Sequence, residues 1–216
     1  YFEDNVGTTR ISTMAAGINR TAKAPSRAAD PNIRYFPETG HNLGYAFRTY
    51  WENNGGLPMF GYPLTEEFTE ASDTEPGKRF LVQYFQRNRF EYHPEFKGTK
   101  NEVFLGLLGV KQTAGRTFAK ATAIKDSSTK VYFAPTSHTL GGVFYNYWKA
   151  NGGLPIFGYP ISEEFQEKNP DDGKTYTVQY FERNRFEYHP EFKGTKDEVL
   201  LGLLGTALCR QKGWIT

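Results

Sequence analysis

One stretch of this chain is written twice. Residues 35–70 (YFPETGHNLGYAFRTYWENNGGLPMFGYPLTEEFTE) return at 132–167 (YFAPTSHTLGGVFYNYWKANGGLPIFGYPISEEFQE), offset by 97, with 22 of 36 positions identical. Residues 84–100 (YFQRNRFEYHPEFKGTK) return at 180–196, offset by 96, with 16 of 17 identical. Repetition at a fixed period constrains the fold more than any local propensity does. It predicts an α+β tandem repeat of two units, over residues 35–116 and 132–216. An N-terminal arm covers 1–34 and a linker 117–131. Each unit is near the size at which one hydrophobic core is marginal.

Three kinds of partner or compartment are bounded by composition. The formal net charge is +2 and the Lys and Arg residues are scattered, so no footprint for nucleic acid is present. No apolar run reaches the roughly 20 residues of a membrane span. The single Cys209 cannot close an internal disulfide and reads as a buried thiol in a terminal helix. The chain starts at Tyr1, so the missing leader is no evidence against secretion.

Inside each unit the local signals repeat. Asn42 or Thr139 is the expected N-cap of a helix. Its apolar face is Leu43, Phe47, Tyr50 and Trp51, or Leu140, Phe144, Tyr147 and Trp148. Asn54-Gly55-Gly56 and Asn151-Gly152-Gly153 end that helix. LPMFGYP and LPIFGYP, bracketed by prolines, predict an irregular buried turn. Thr65-Glu66-Glu67 and Ser162-Glu163-Glu164 read as the capped start of a helical turn. VQYFQRNRFEYHP reads as a β-hairpin closed by Gln86-Arg87-Asn88, with Asn88 left-handed. That register pairs Tyr84 with Phe90 and Val82 with Tyr92 and makes those four the core face. A third strand (EVFLGLLG or EVLLGLLG) and a short terminal helix (TALCRQKGW) complete the unit.

The segments GGLPMFGYPLTEEF and GGLPIFGYPISEEF resemble the LGFP repeat family. Gly55, Gly56, Phe60, Gly61, Tyr62, Pro63 and Glu67 carry the likeness, as do Gly152, Gly153, Phe157, Gly158, Tyr159, Pro160 and Glu164. The resemblance covers most of 35–109 and 132–205. It implies an exported bacterial protein at the cell surface and a wall-glycan-binding role.

Every histidine has a twin, His41 with His138 and His93 with His189, which argues against a lone catalytic histidine. No nucleophile motif and no phosphate loop is present, so the chain reads as non-enzymatic, without cofactor or metal. Glu91 and His93 share a strand face, but two donors per unit fall short of a metal site. The candidate ligand face is the hairpin's polar side: Gln83, Phe85, Arg89, Glu91 and His93, with Gln179, Phe181, Arg185, Glu187 and His189. Hydrogen-bonding groups beside an aromatic ring suit a sugar; cross-strand ion pairs on a solvated face are the plainer reading. Two functions follow. One is binding of cell-wall or surface polysaccharide. The other is a structural subunit of an extracellular assembly, a homo-oligomer held together by residues 1–34.

Overall fold

The computed structural model describes residues 19–72 and 75–215. Among them are twelve strands and six α-helices, arranged as mixed α+β in four small antiparallel sheets. No helix among the described residues is long and apolar enough to cross a membrane. The chain divides into two compact units. Of the described residues, one unit holds those between 19 and 106 together with 209–215; the other holds residues 107–208.

The first unit opens with β1 (Ile33–Phe36) paired antiparallel to β2 (His41–Gly44). Helices α1 (Tyr45–Asn53) and α2 (Gly56–Phe60) follow. A four-stranded sheet then runs in the order β3 (Phe68–Ala71), β4 (Arg79–Tyr84), β5 (Arg89–Tyr92) and β6 (Val103–Leu105). Phe90 is the hub on the helical face of that sheet. The rings of Phe47, Tyr50 and Phe60 lie 5.8, 5.2 and 4.8 Å from it, all edge-on. Edge-to-face geometry suits the ring quadrupoles and adds to the area buried.

The other face of the same sheet is covered by the segment that follows residue 208. Trp214 packs edge-on against Tyr84 at 5.3 Å and Phe68 at 5.7 Å. Lys212 donates to Glu70 at 2.9 Å. Thr21 Oγ1 donates to the Trp214 carbonyl at 2.6 Å, and the Arg20 guanidinium lies over Phe68.

The second unit begins with α3 (Leu108–Gln112). Its strands β7 (Lys130–Phe133) and β8 (His138–Gly141) pair, then come α4 (Gly142–Ala150) and α5 (Gly153–Phe157). The sheet is β9 (Phe165–Lys168), β10 (Thr175–Tyr180), β11 (Arg185–Tyr188) and β12 (Val199–Leu201). Phe186 is its hub, with Tyr147 and Phe157 edge-on at 5.2 and 4.8 Å. On the opposite face Phe118 packs against Phe165 and Tyr180, and Arg116 lies over both rings. Helix α3 rests on the turn between β10 and β11. A Cβ on Gly109 would stand 1.8 Å from the Phe181 carbonyl oxygen, so only glycine fits there. The last helix, α6 (Leu204–Gln211), holds Cys209 with no exposed surface.

Several local expectations are corrected. Asn42 and Leu43 belong to a strand, and α1 starts at Tyr45 with Gly44 at the cap and no side-chain cap bond. Asn42 instead accepts from the Arg27 N–H at 2.8 Å and donates to the Pro25 carbonyl at 2.9 Å. Thr139 is likewise in a strand and donates its hydroxyl to Glu163. LPMF and LPIF are not irregular: each is one turn of helix, α2 or α5. Pro58 and Pro155 sit in that first turn, where a missing N–H costs nothing. Gly55 and Gly56, both at positive φ, make the reversal, and a Cβ on Gly56 would press into the Trp51 ring.

Thr65-Glu66-Glu67 starts no helix. Thr65 Oγ1 accepts the Tyr84 N–H at 3.1 Å, and Glu66 accepts the Asn42 N–H at 2.8 Å. Asn88 is not left-handed; Tyr45 and Ser137 are the non-glycine residues at positive φ among those described. Residues 19–34 of the expected arm bond to their own unit, through Ala24 N–H to the Gly40 carbonyl and Tyr45 OH to Asp30. Residues 1–18 of that arm, and Thr74 in the loop before the hairpin, lie outside the described residues.

Candidate functional site

The hairpin forms, with a different register. Tyr84 pairs with Arg89, Gln83 with Phe90, Val82 with Glu91 and Leu81 with Tyr92. The loop has four residues, closed by Phe85 N–H to the Asn88 carbonyl at 2.8 Å. A one-residue slip exchanges faces on one strand relative to its partner. Gln83, Phe90 and Tyr92 therefore share the helical face, while Val82, Tyr84, Arg89 and Glu91 share the other. The same register holds for Tyr180 with Arg185 and Gln179 with Phe186.

All ten candidate residues are buried: Gln83, Phe85, Arg89, Glu91 and His93, and Gln179, Phe181, Arg185, Glu187 and His189. None is more than 6% exposed, so the expected sugar-facing surface of the hairpin is not a surface. The reason is geometric, since helices cover one face of each sheet and residues 116–118 or 212–214 cover the other. A cleft of about 480 Å³ in the second unit is lined by Tyr176, Tyr188, Lys174 and Glu191 and includes none of the ten.

The candidate residues do two internal jobs. Gln83 ties the hairpin to the neighbouring segments, donating to the carbonyls of Asn42 at 2.7 Å and Thr65 at 2.8 Å. Gln179 does the same with Thr139 and Ser162. Phe85 and Phe181 pack on the hubs, 4.2 and 4.1 Å from Phe90 and Phe186.

The charged members form a buried network. Arg89 donates through Nε to Glu70 at 3.0 Å and through Nη1 to Glu91 at 2.7 Å. Tyr84 OH also donates to Glu70, at 2.7 Å, and Ser72 Oγ donates to Glu91 at 2.9 Å. His93 closes the chain, with Nε2 3.1 Å from Glu91 and Nδ1 3.0 Å from Glu95. In the second unit Arg185 bonds Glu187 and Glu167, and Arg116 donates to Glu167 at 2.9 Å. Burial pushes the Glu70 carboxyl up, but hydrogen bonds from Tyr84 and Lys212 and the charge of Arg89 bring it below its ordinary value. An acid held down in this way stabilises the fold above its unfolded pKa, and that stability is lost as pH falls.

Sequence reasoning missed Glu70, Glu167, Tyr84, Tyr180, Arg116, Lys212 and Trp214 as members of this network. A signal was present: Arg116 and Phe118 stand 96 residues before Lys212 and Trp214, a cation two residues ahead of an aromatic in both places.

Two further titratable groups stand apart. Cys209 is pushed up to about 12 by burial and so stays a thiol. Half-buried Glu67 is pushed up to about 7 by burial, against the pull of Arg27 and with the push of Glu66. Its folded form holds a proton that the unfolded chain releases near pH 4.5, so its contribution to stability falls as pH rises from 4.5 through 7. Glu67→Gln is expected to flatten that fall by on the order of 2 kcal/mol. Urea unfolding of both chains at pH 5 and pH 8 measures it, and parallel curves would contradict it.

No protein-family model, curated protein or solved structure matches this chain.

Proposed function

We propose that the chain is a non-enzymatic tandem repeat of two α+β units. Each unit contains a two-stranded antiparallel pair, two short helices and a four-stranded antiparallel sheet. It serves as a structural subunit of an assembly outside the cell, the location that the LGFP-like sequence resemblance implies. The observation that carries this reading is how the sheets are covered. The face bearing Phe68, Glu70 and Tyr84 is closed by Lys212 and Trp214, about 140 residues further along the chain. The face bearing Phe165, Glu167 and Tyr180 is closed by Arg116 and Phe118, which precede it.

A cover supplied from a distant part of a chain can equally be supplied by a neighbouring copy, the logic of element exchange. The hairpin charges support the same reading, since they are spent on internal bonds. The connection between copies is thus assigned to the covering segments. Residues 19–34 are engaged with their own unit, through Thr21 and Asn42.

Light scattering of the native chain over a rising concentration series tests this. Dimers and larger species are expected, and Trp214→Ala is expected to diminish them by weakening the cover in any copy. A chain that stays monomeric throughout, or oligomers untouched by Trp214→Ala, would remove the reading. The same preparations mixed with purified wall polysaccharide address the rival. Binding there would have to use exposed side chains such as Phe96 and Phe104, whose rings stack 5.7 Å apart, and not the ten hairpin residues.

A further inference from the structure

In the first unit His93 is fully buried and its ring is fixed between Phe80 and Phe104, at 4.2 and 4.1 Å. Both ring nitrogens face carboxylates. Nε2 lies 3.1 Å from Glu91, itself bonded by Arg89 and Ser72. Nδ1 lies 3.0 Å from Glu95 Oε1 and 3.8 Å from Glu75 Oε1. A neutral imidazole carries one N–H. Nδ1 faces two carboxylate oxygens, so that three donor atoms from Glu75, His93 and Glu95 are gathered in one place.

We propose that Glu75, His93 and Glu95 bind one divalent transition-metal ion, with Zn²⁺ the ion whose donor preferences fit them. The three donor atoms lie within 4.8 Å of one another. A tetrahedral ion with nitrogen and carboxylate bonds near 2.0–2.2 Å holds its donors about 3.3 Å apart, between the two distances present here. Glu91 is the outer carboxylate that sets the tautomer and ring orientation, as metal-bound histidines require. Glu75 uses its second oxygen for Lys78 at 2.5 Å, which leaves Oε1 for the ion. Glu95 is exposed and Glu75 partly so, which leaves the donor set accessible from solvent.

The second unit supplies the contrast. His189 keeps Glu191 at 3.1 Å, but its Nε2 stands 3.7 Å from Glu187 and has no hydrogen-bond partner. Asp172 accepts from Tyr176 OH at 2.6 Å, where the first unit has Phe80. One ion per chain is therefore expected.

Calorimetric titration of the untagged, chelator-treated full chain with ZnCl₂ tests the site. One equivalent is expected. Glu75→Gln and Glu95→Gln, both at partly exposed positions that the fold tolerates, should each weaken affinity by about tenfold or more. Glu191→Gln should leave it unchanged. Absence of saturable binding, two equivalents, binding that survives both first-unit substitutions, or equal loss in Glu191→Gln would each overturn the proposal.

Discussion

Arg89→Met is expected to destabilise the protein by about 3–5 kcal/mol, the cost of leaving buried carboxylates without their partner. Arg89 is 1% exposed and is among the largest fully buried side chains of the described residues. Its guanidinium holds Glu91 at 2.7 Å and Glu70 at 3.0 Å beside the Tyr84 ring, and its stem lies against Gly106. Methionine keeps the apolar stem, so lost packing is a minor part of the effect. Glu70 retains Lys212 and Tyr84, whereas Glu91 retains Ser72 and His93. The penalty therefore falls chiefly on Glu91. Arg89→Met combined with Glu91→Gln should recover a substantial part of the loss, because residues in one network are not additive. Chemical denaturation of the three chains measures it. A single-variant loss below about 1 kcal/mol would mean that solvent reaches the network.

Phe90→Ala is expected to cost a similar amount, about 3–5 kcal/mol, for a different reason. The ring is fully buried and meets Phe47, Tyr50, Phe60 and Phe85. Truncation removes its transfer free energy and leaves a cavity that five-residue α2, pinned by Gly55 and Gly56, cannot collapse to fill. Phe90→Leu should cost roughly half as much. The test is a denaturant midpoint shift at constant slope; a changed slope would mean the variant had altered the compactness of a reference state instead.

The two substitutions also locate what could be read from the sequence. The hairpin was legible from alternating apolar residues between turn signals. Its register was not, because a loop of Gln86-Arg87-Asn88 and one of Phe85 to Asn88 fit the same letters. The choice is made by Phe85, which bridges to Pro63 and fills the core under Phe90. That is a long-range contact, and local pattern does not contain it. One residue of slip placed Arg89 and Glu91 on a face thought open. The strand at His41–Gly44 was hidden for a similar reason. Leu43 fits a helical stripe with Phe47 and Trp51, but pairing with Arg34 in β1 decides its state. Glu91 was legible beside His93 on one strand face, whereas the third carboxylate near that ring, Glu75, was not. Glu75 lies in the loop where the two copies differ in length, so repetition gave no guide to it.

The covered sheet faces also set an order of events during synthesis. Phe118 and Arg116 emerge before the strands they will cover, so the sheet of residues 165–201 meets its lid as it forms. Phe68 and Glu70 emerge early, and Glu70 waits 142 residues for Lys212. Closing so long a loop carries an entropic cost and slows completion. Until then Tyr84 and Phe68 present an open aromatic surface, the condition under which partly made chains aggregate. Of the two units, the one translated first is the one completed second.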